Sequence, residues 1–102
     1  MRGEIVLLGE TPVGFLWVED QGDTLCINSI AVLPHYQNKG IGTHLVQRVI
    51  ASSESRQVPV WLQVLKVNPA RLLYERLGFR ITGEDEFRYR LERAPRGFLH
   101  GR

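Results

Sequence analysis

Residues 30 to 43 read Ile30-Ala31-Val32-Leu33-Pro34-His35-Tyr36-Gln37-Asn38-Lys39-Gly40-Ile41-Gly42-Thr43. A β-branched, apolar run stops at a proline, and a short polar stretch leads to two closely spaced glycines. Beyond them Ile41, Leu45 and Val49 recur at i, i+4 and i+8, with Val46 and Ile50 alongside, which predicts a helix over residues 40–53. The pattern is strand, glycine loop, helix. Backbone N–H groups at such a helix start can converge on an anion, helped by the helix dipole. Lys39 adds a point charge and Thr43 a hydroxyl. The loop is not the phosphate loop of NTPases, which needs Gly-x-x-x-x-Gly-Lys-Ser/Thr. Nor is it the dinucleotide fingerprint, whose third glycine position holds Leu45 here.

Working outward, the long strand predicted over 24–33 follows two shorter ones, Ile5 to Leu8 and Val13 to Val18, separated by Gly9-Glu10-Thr11-Pro12. Downstream, residues 58–65 read as a strand. Asn68-Pro69 opens a second helix whose Ala70, Leu73, Tyr74 and Leu77 share one face, and Gly78 is its expected C-cap. Phe79 to Thr82 and Phe87 to Leu91 read as a closing hairpin. The order is strand, strand, strand, helix, strand, helix, strand, strand. That is an α/β (α+β) fold with two main helices and a central parallel β-α-β crossover. Ligands of such units bind beyond the carboxyl ends of the strands, which here is the loop from Pro34 to Gly42.

A chain of 102 residues, 43% hydrophobic and 24% charged, suits one soluble domain with a modest core. We expect that domain over 1–93 and a loose basic tail over 94–102. No apolar run approaches the ~20 residues needed to span a bilayer, and Arg2, Glu4 and Glu10 argue against a signal peptide. The single cysteine, Cys26, fits a reducing cytoplasm. His35, His44 and His100 share no ligand spacing, so no metal is expected. Residues 1–36 carry one basic residue against five acids, net −4, and the remaining 66 carry twelve against six, net +6. A basic C-terminal portion suits a phosphate-bearing partner. Arg88, Arg90, Arg93 and Arg96 lack the interleaved surface aromatics of an RNA platform, so no nucleic-acid partner is expected.

Gln37-x-x-Gly40-x-Gly42, with Ile30 to Pro34 before it, resembles the acetyl-CoA-binding signature of the GNAT N-acetyltransferase superfamily. Asn68-Pro69-Ala70-Arg71-Leu72-Leu73-Tyr74-Glu75-Arg76-Leu77-Gly78-Phe79 is similar to that family's later motif. The resemblance implies a mixed, mostly antiparallel sheet whose parallel strands splay at their C-terminal ends. It implies acetyl-CoA as co-substrate, with pantetheine in the gap beside Ile30, Ala31 and Val32. The pyrophosphate would lie on the N–H groups of Asn38, Lys39, Gly40, Ile41, Gly42 and Thr43, with Gln37 and Asn68 as further cofactor-binding residues. It further implies Tyr74 as the acid for the departing thiolate and direct acetyl transfer to a small-molecule or peptide amine.

Two features depart from the family pattern. Its frequent base, a Glu after the first of these helices, matches Gln63, which cannot take a proton. Glu19, His35, His44, Glu84 and Glu86 are alternatives, and none is assigned. Cys26 reads as a small buried hydrophobe rather than a nucleophile. The chain also begins without the family's usual first strand and two helices, which form a wall of the acceptor groove. A second chain supplies that wall, the site is open, or the sequence is a fragment. The uncovered edge favours a homodimer. The competing reading is a CoA-binding regulatory or degenerate module with little activity.

Overall fold

In a computed structural model, residues 2–96 are described. β1 (Arg2–Leu8) and β2 (Thr11–Asp20) form a hairpin, and β3 (Leu25–Val32) continues the antiparallel ladder. A short 3₁₀ turn (Pro34–Tyr36) leads into α1 (Ile41–Arg56). β4 (Val60–Leu65), α2 (Ala70–Arg76), β5 (Arg80–Glu84) and β6 (Arg88–Arg93) complete the chain. The six strands form one sheet in the order β1-β2-β3-β4-β6-β5, and only β3 and β4 run parallel. The expected fold class and element order are both found.

Period-2 alternation puts Val60, Leu62 and Val64 on one face of β4, all buried. They share a core with Leu25 and Ile27 of β3, Leu45, Val46 and Val49 of α1, Tyr74 of α2 and Leu91 of β6. The periodicity that predicted α1 supplies its inward stripe. The helix runs three residues past Ser53, because its last turn is polar and carries no apolar signal. Ser53 itself is fully buried, its hydroxyl donating to the Val58 carbonyl. α2 starts at Ala70 with Pro69, not Asn68, at the N-cap and no side-chain cap; Asn68 stands one residue further out, where its Oδ1 accepts the Ala70 N–H at 2.9 Å in an Asx turn. The C-cap glycine is as expected, with Gly78 at φ +99°.

The other sheet face carries Phe15, Trp17, Glu19, Cys26, Trp61 and Gln63, placed there by alternation and register. No helix of the described residues lies long and apolar enough to cross a membrane. At the chain's end, Arg96 N–H donates to Glu54 Oε1 at 2.9 Å. The remainder of the expected tail, residues 97–102 with His100, lies outside the described residues.

Candidate active site

The parallel ladder is short. Leu25, Cys26 and Ile27 face Val60, Trp61 and Leu62, and the pairing ends there although both strands continue. On the β2 side, Val18 faces Ile27 and Trp17 faces Ser29, so Asn28 is the extra residue of a β-bulge. A bulge bends and re-aims the strand that carries it. Together these open a cleft of about 280 Å³ between β3 and β4. Ile27, Asn28, Ser29 and Ile30 line one side, and Leu62, Gln63, Val64 and Leu65 the other. Asn68 and Tyr74 complete it.

Two residues further along β3, Val32 belongs to a second cavity of about 370 Å³. This one is walled by Gln37, Asn38, Gly40, Ile41, Gly42 and Thr43, with Tyr36, Leu73 and Arg76. Gly40 is the N-cap of α1 at φ +83°, and no side chain caps the helix there. The first-turn N–H groups therefore have no side-chain partner from the chain itself. A Cβ at Gly42 would meet no atom within 4 Å, so that side of the loop is open. Gln37 Nε2 donates to the Val32 carbonyl at 2.9 Å, tying the loop to the end of β3. Such a cavity could hold a diphosphate.

Not every expected residue points into this space. Lys39 lines a different groove, against Leu7 and His44. Ala31 lies on the opposite face, beside Ile5, Phe15 and Leu33. Arg76, which the sequence did not single out, lines the loop cavity and brings a cation to it. Its signal was its place in the turn of α2 that follows Tyr74.

Tyr74 is buried, 6% exposed, and packs edge-on against Phe79 with ring centroids 5.8 Å apart. Burial pushes its phenol above the ordinary tyrosine value, so it stays protonated and able to donate. Cys26 is also buried, and burial, reinforced by the charge of Glu19, pushes its thiol up. A thiol held neutral is a poor nucleophile. It donates instead to Asn28 Oδ1 at 3.4 Å. Of the remaining base candidates, Glu84 pairs with Lys66 at 3.1 Å. His35 packs edge-on against Tyr36, and His44 lines the Lys39 groove. The basic residues near the C-terminus are engaged internally: Arg93 binds Glu54 at 2.8 Å and the Leu77 carbonyl, and Arg90 lies 3.9 Å over Trp61.

A family model described as an acetyltransferase (GNAT) domain matches residues 2–81. The chain belongs to the GNAT family. Among curated relatives, this GNAT chain is 37% identical to the ribosomal protein bS18-alanine N-acetyltransferase of Haemophilus influenzae over 68 residues. That match covers 66% of this chain and 47% of the relative. The enzyme of the same name from Escherichia coli is 42% identical over 59 residues, covering 56% of this chain and 40% of its own. The GNAT chain thus spans about half the length of the curated relatives it matches, or less.

Solved structures agree on the fold. The crystal structure of the E. coli ribosomal-protein-S18-alanine N-acetyltransferase superposes with a TM-score of 0.81 at 26% identity, covering 91% of this chain and 68% of that one. A PaiA N-acetyltransferase from Thermoplasma acidophilum, solved in complex with coenzyme A, has a TM-score of 0.77 at 19% identity. It covers 86% of this chain and 57% of that one, and at that identity the likeness concerns fold alone.

Proposed function

We propose that this GNAT protein moves an acetyl group from acetyl-CoA to an amine by direct transfer. The observation that carries the reading is the parting of β3 and β4 after Ile27 and Leu62, with a buried phenol in the gap and a glycine loop beyond it. Acetyl-CoA takes the co-substrate role. Its diphosphate lies on the loop of Gln37, Asn38, Gly40, Ile41, Gly42 and Thr43, near Arg76. Its pantetheine runs past Val32 and Ile30 with the backbone of Ala31, toward Asn68. Lys39 acts at longer range, from outside the loop cavity.

The chemistry follows from what transfer requires. The amine must be neutral, the tetrahedral oxyanion needs a donor, and the thiolate needs a proton. Strand β3 supplies backbone N–H groups left unpaired beyond Ile27, and Tyr74 supplies the proton. The acceptor is a small-molecule or peptide amine. The curated relatives are named for an alanine of a ribosomal protein. Alanine has no side-chain amine, so N-acetylation of one within a protein uses the chain's amino terminus, and an Ala-initiated peptide heads the screen. We place the protein in the cytoplasm, where a free cysteine and acetyl-CoA coexist, and propose a homodimer through β1. That edge strand leaves Ile5, Leu7 and Leu8 exposed.

One observation favours a second reading, a CoA-binding module without turnover: among the described residues no carboxylate lines the cleft. Thiol release over a panel of amines separates the two. Both readings require acetyl-CoA to raise Tm. At a hundredfold Kd a ligand adds about 2.7 kcal/mol, about 10–20 °C for a domain of this size. No shift with acetyl-CoA, or an equal shift with NAD, sinks both.

A further inference from the structure

Transfer to an amine calls for a group that takes the ammonium proton, and none lines the cleft. Six carboxylates of the described residues are committed to cations. Glu4 pairs with Arg48, Asp20 with Arg56, Glu54 with Arg93, Glu75 with Arg71, Glu84 with Lys66 and Asp85 with Arg88. Among the described side chains, which do not include those of Met1 and Arg2, Glu19 has no cationic partner within 4.0 Å. It faces Cys26 across the ladder on the open side of the sheet, and it accepts a hydrogen bond from Asn28 Nδ2 at 3.1 Å. Among the described residues no other carboxylate both lacks a cation and is hydrogen-bonded to a side chain that lines the cleft.

Asn28 is the link. As the bulge residue it has no partner on β2, and it lies one position past the last β4 pair. The Cys26 thiol donates to its Oδ1 and its Nδ2 donates to Glu19, so the amide is held at both ends at the mouth of the cleft. One Nδ2 hydrogen is used by Glu19, leaving a second for substrate.

We infer that Glu19, held by Asn28, binds the acceptor ammonium and takes its proton. This rests on the transfer reading above. The ammonium gives one proton to the Glu19 carboxylate, and the nitrogen lone pair attacks the thioester carbonyl carbon. The C–N bond forms, the C–S bond breaks, and the thiolate takes the Tyr74 proton. The surplus proton on nitrogen restores the phenol, and Glu19 returns its proton to solvent. The charged or titratable groups of the described residues sharing this face are Cys26 on β3, kept neutral by burial, Arg90 on β6, stacked on Trp61, and Glu92 on β6, opposite Trp61.

The test compares two acceptors, an Ala-initiated peptide that is an ammonium at pH 7 and an alkoxyamine that is already neutral there. Glu19→Gln should lower kcat/KM for the peptide by roughly 10²–10⁴-fold, with recovery as pH rises toward the amine's own pKa. The same variant should keep the alkoxyamine rate within a few-fold, and Glu19→Asp should restore part of the peptide rate. The acetyl-CoA-induced Tm shift reports that both variants fold and bind. Equal losses on both acceptors, or no loss on the peptide, overturn the role of Glu19 while leaving the transfer reading standing. A wild-type protein that releases thiol with neither acceptor overturns both.

Discussion

Tyr74 fills core volume and faces the cleft, and one substitution separates the two roles. Tyr74→Phe keeps the ring against Phe79 and removes no hydrogen bond to another described residue, so Tm and acetyl-CoA binding should change little. Loss of the proton donor should lower kcat by roughly 10²–10⁴-fold. Because burial raises the phenol's pKa, the protonated donor persists up to and beyond the ordinary tyrosine range. An alkaline fall in kcat at pH 8 in the wild type, absent in Tyr74→Phe, contradicts that assignment. Near-normal turnover by the Phe variant reduces the residue to packing.

At the scale of the element, the start of α1 distinguishes two glycines that look equivalent in sequence. Gly40 sits at φ +83°, where a side chain costs on the order of 1–3 kcal/mol. Gly42 has ordinary backbone and open space around its missing Cβ. Gly40→Val should therefore lower the apo Tm and weaken acetyl-CoA binding together. Gly42→Val should leave the apo Tm nearly unchanged and abolish most of the ligand-induced shift, which differential scanning fluorimetry reads directly. The other end of α1 is tied by Glu54. Its hydrogen bond from Arg93, and then that from the Arg96 N–H, hold its carboxyl below the ordinary glutamate value. A depressed pKa stabilises the fold above the unfolded value, and that contribution is lost as pH falls through the folded one. Wild-type Tm should thus drop more steeply between about pH 5 and 3 than that of Glu54→Gln. Parallel curves would show that the pair contributes nothing.

Among the described residues, the helices cover one face of the sheet and leave the other open. On the open side Ile5, Phe15, Leu33, Pro12 and Pro34 surround an apolar groove of about 450 Å³ next to the unpaired edge of β1. An apolar patch beside a free strand edge is a template for a second copy. Sedimentation should give twice the chain mass at micromolar concentration, and Ile5→Asp should return it to one chain. A wild-type monomer at all accessible concentrations contradicts the proposed dimer.

The local signals in this sequence were strong where physics is local. Alternating apolar residues, a proline that ends β3, the glycine at a positive φ and the Asn-Pro helix start determined the element order, the sheet class and the loop beyond β3. The same signals failed where their carriers were silent, as in the Ser-rich last turn of α1. The site's chemistry was only partly legible, because it depends on which strand neighbours which and on where pairing stops. The bulge at Asn28, the direction of Lys39 away from the loop and the arrival of Arg76 beside it are consequences of register and crossing. So is the hydrogen bond between Glu19 and Asn28, nine positions apart in the chain. No spacing rule in one dimension reports that contact, since the sheet creates it only when β2 and β3 pair.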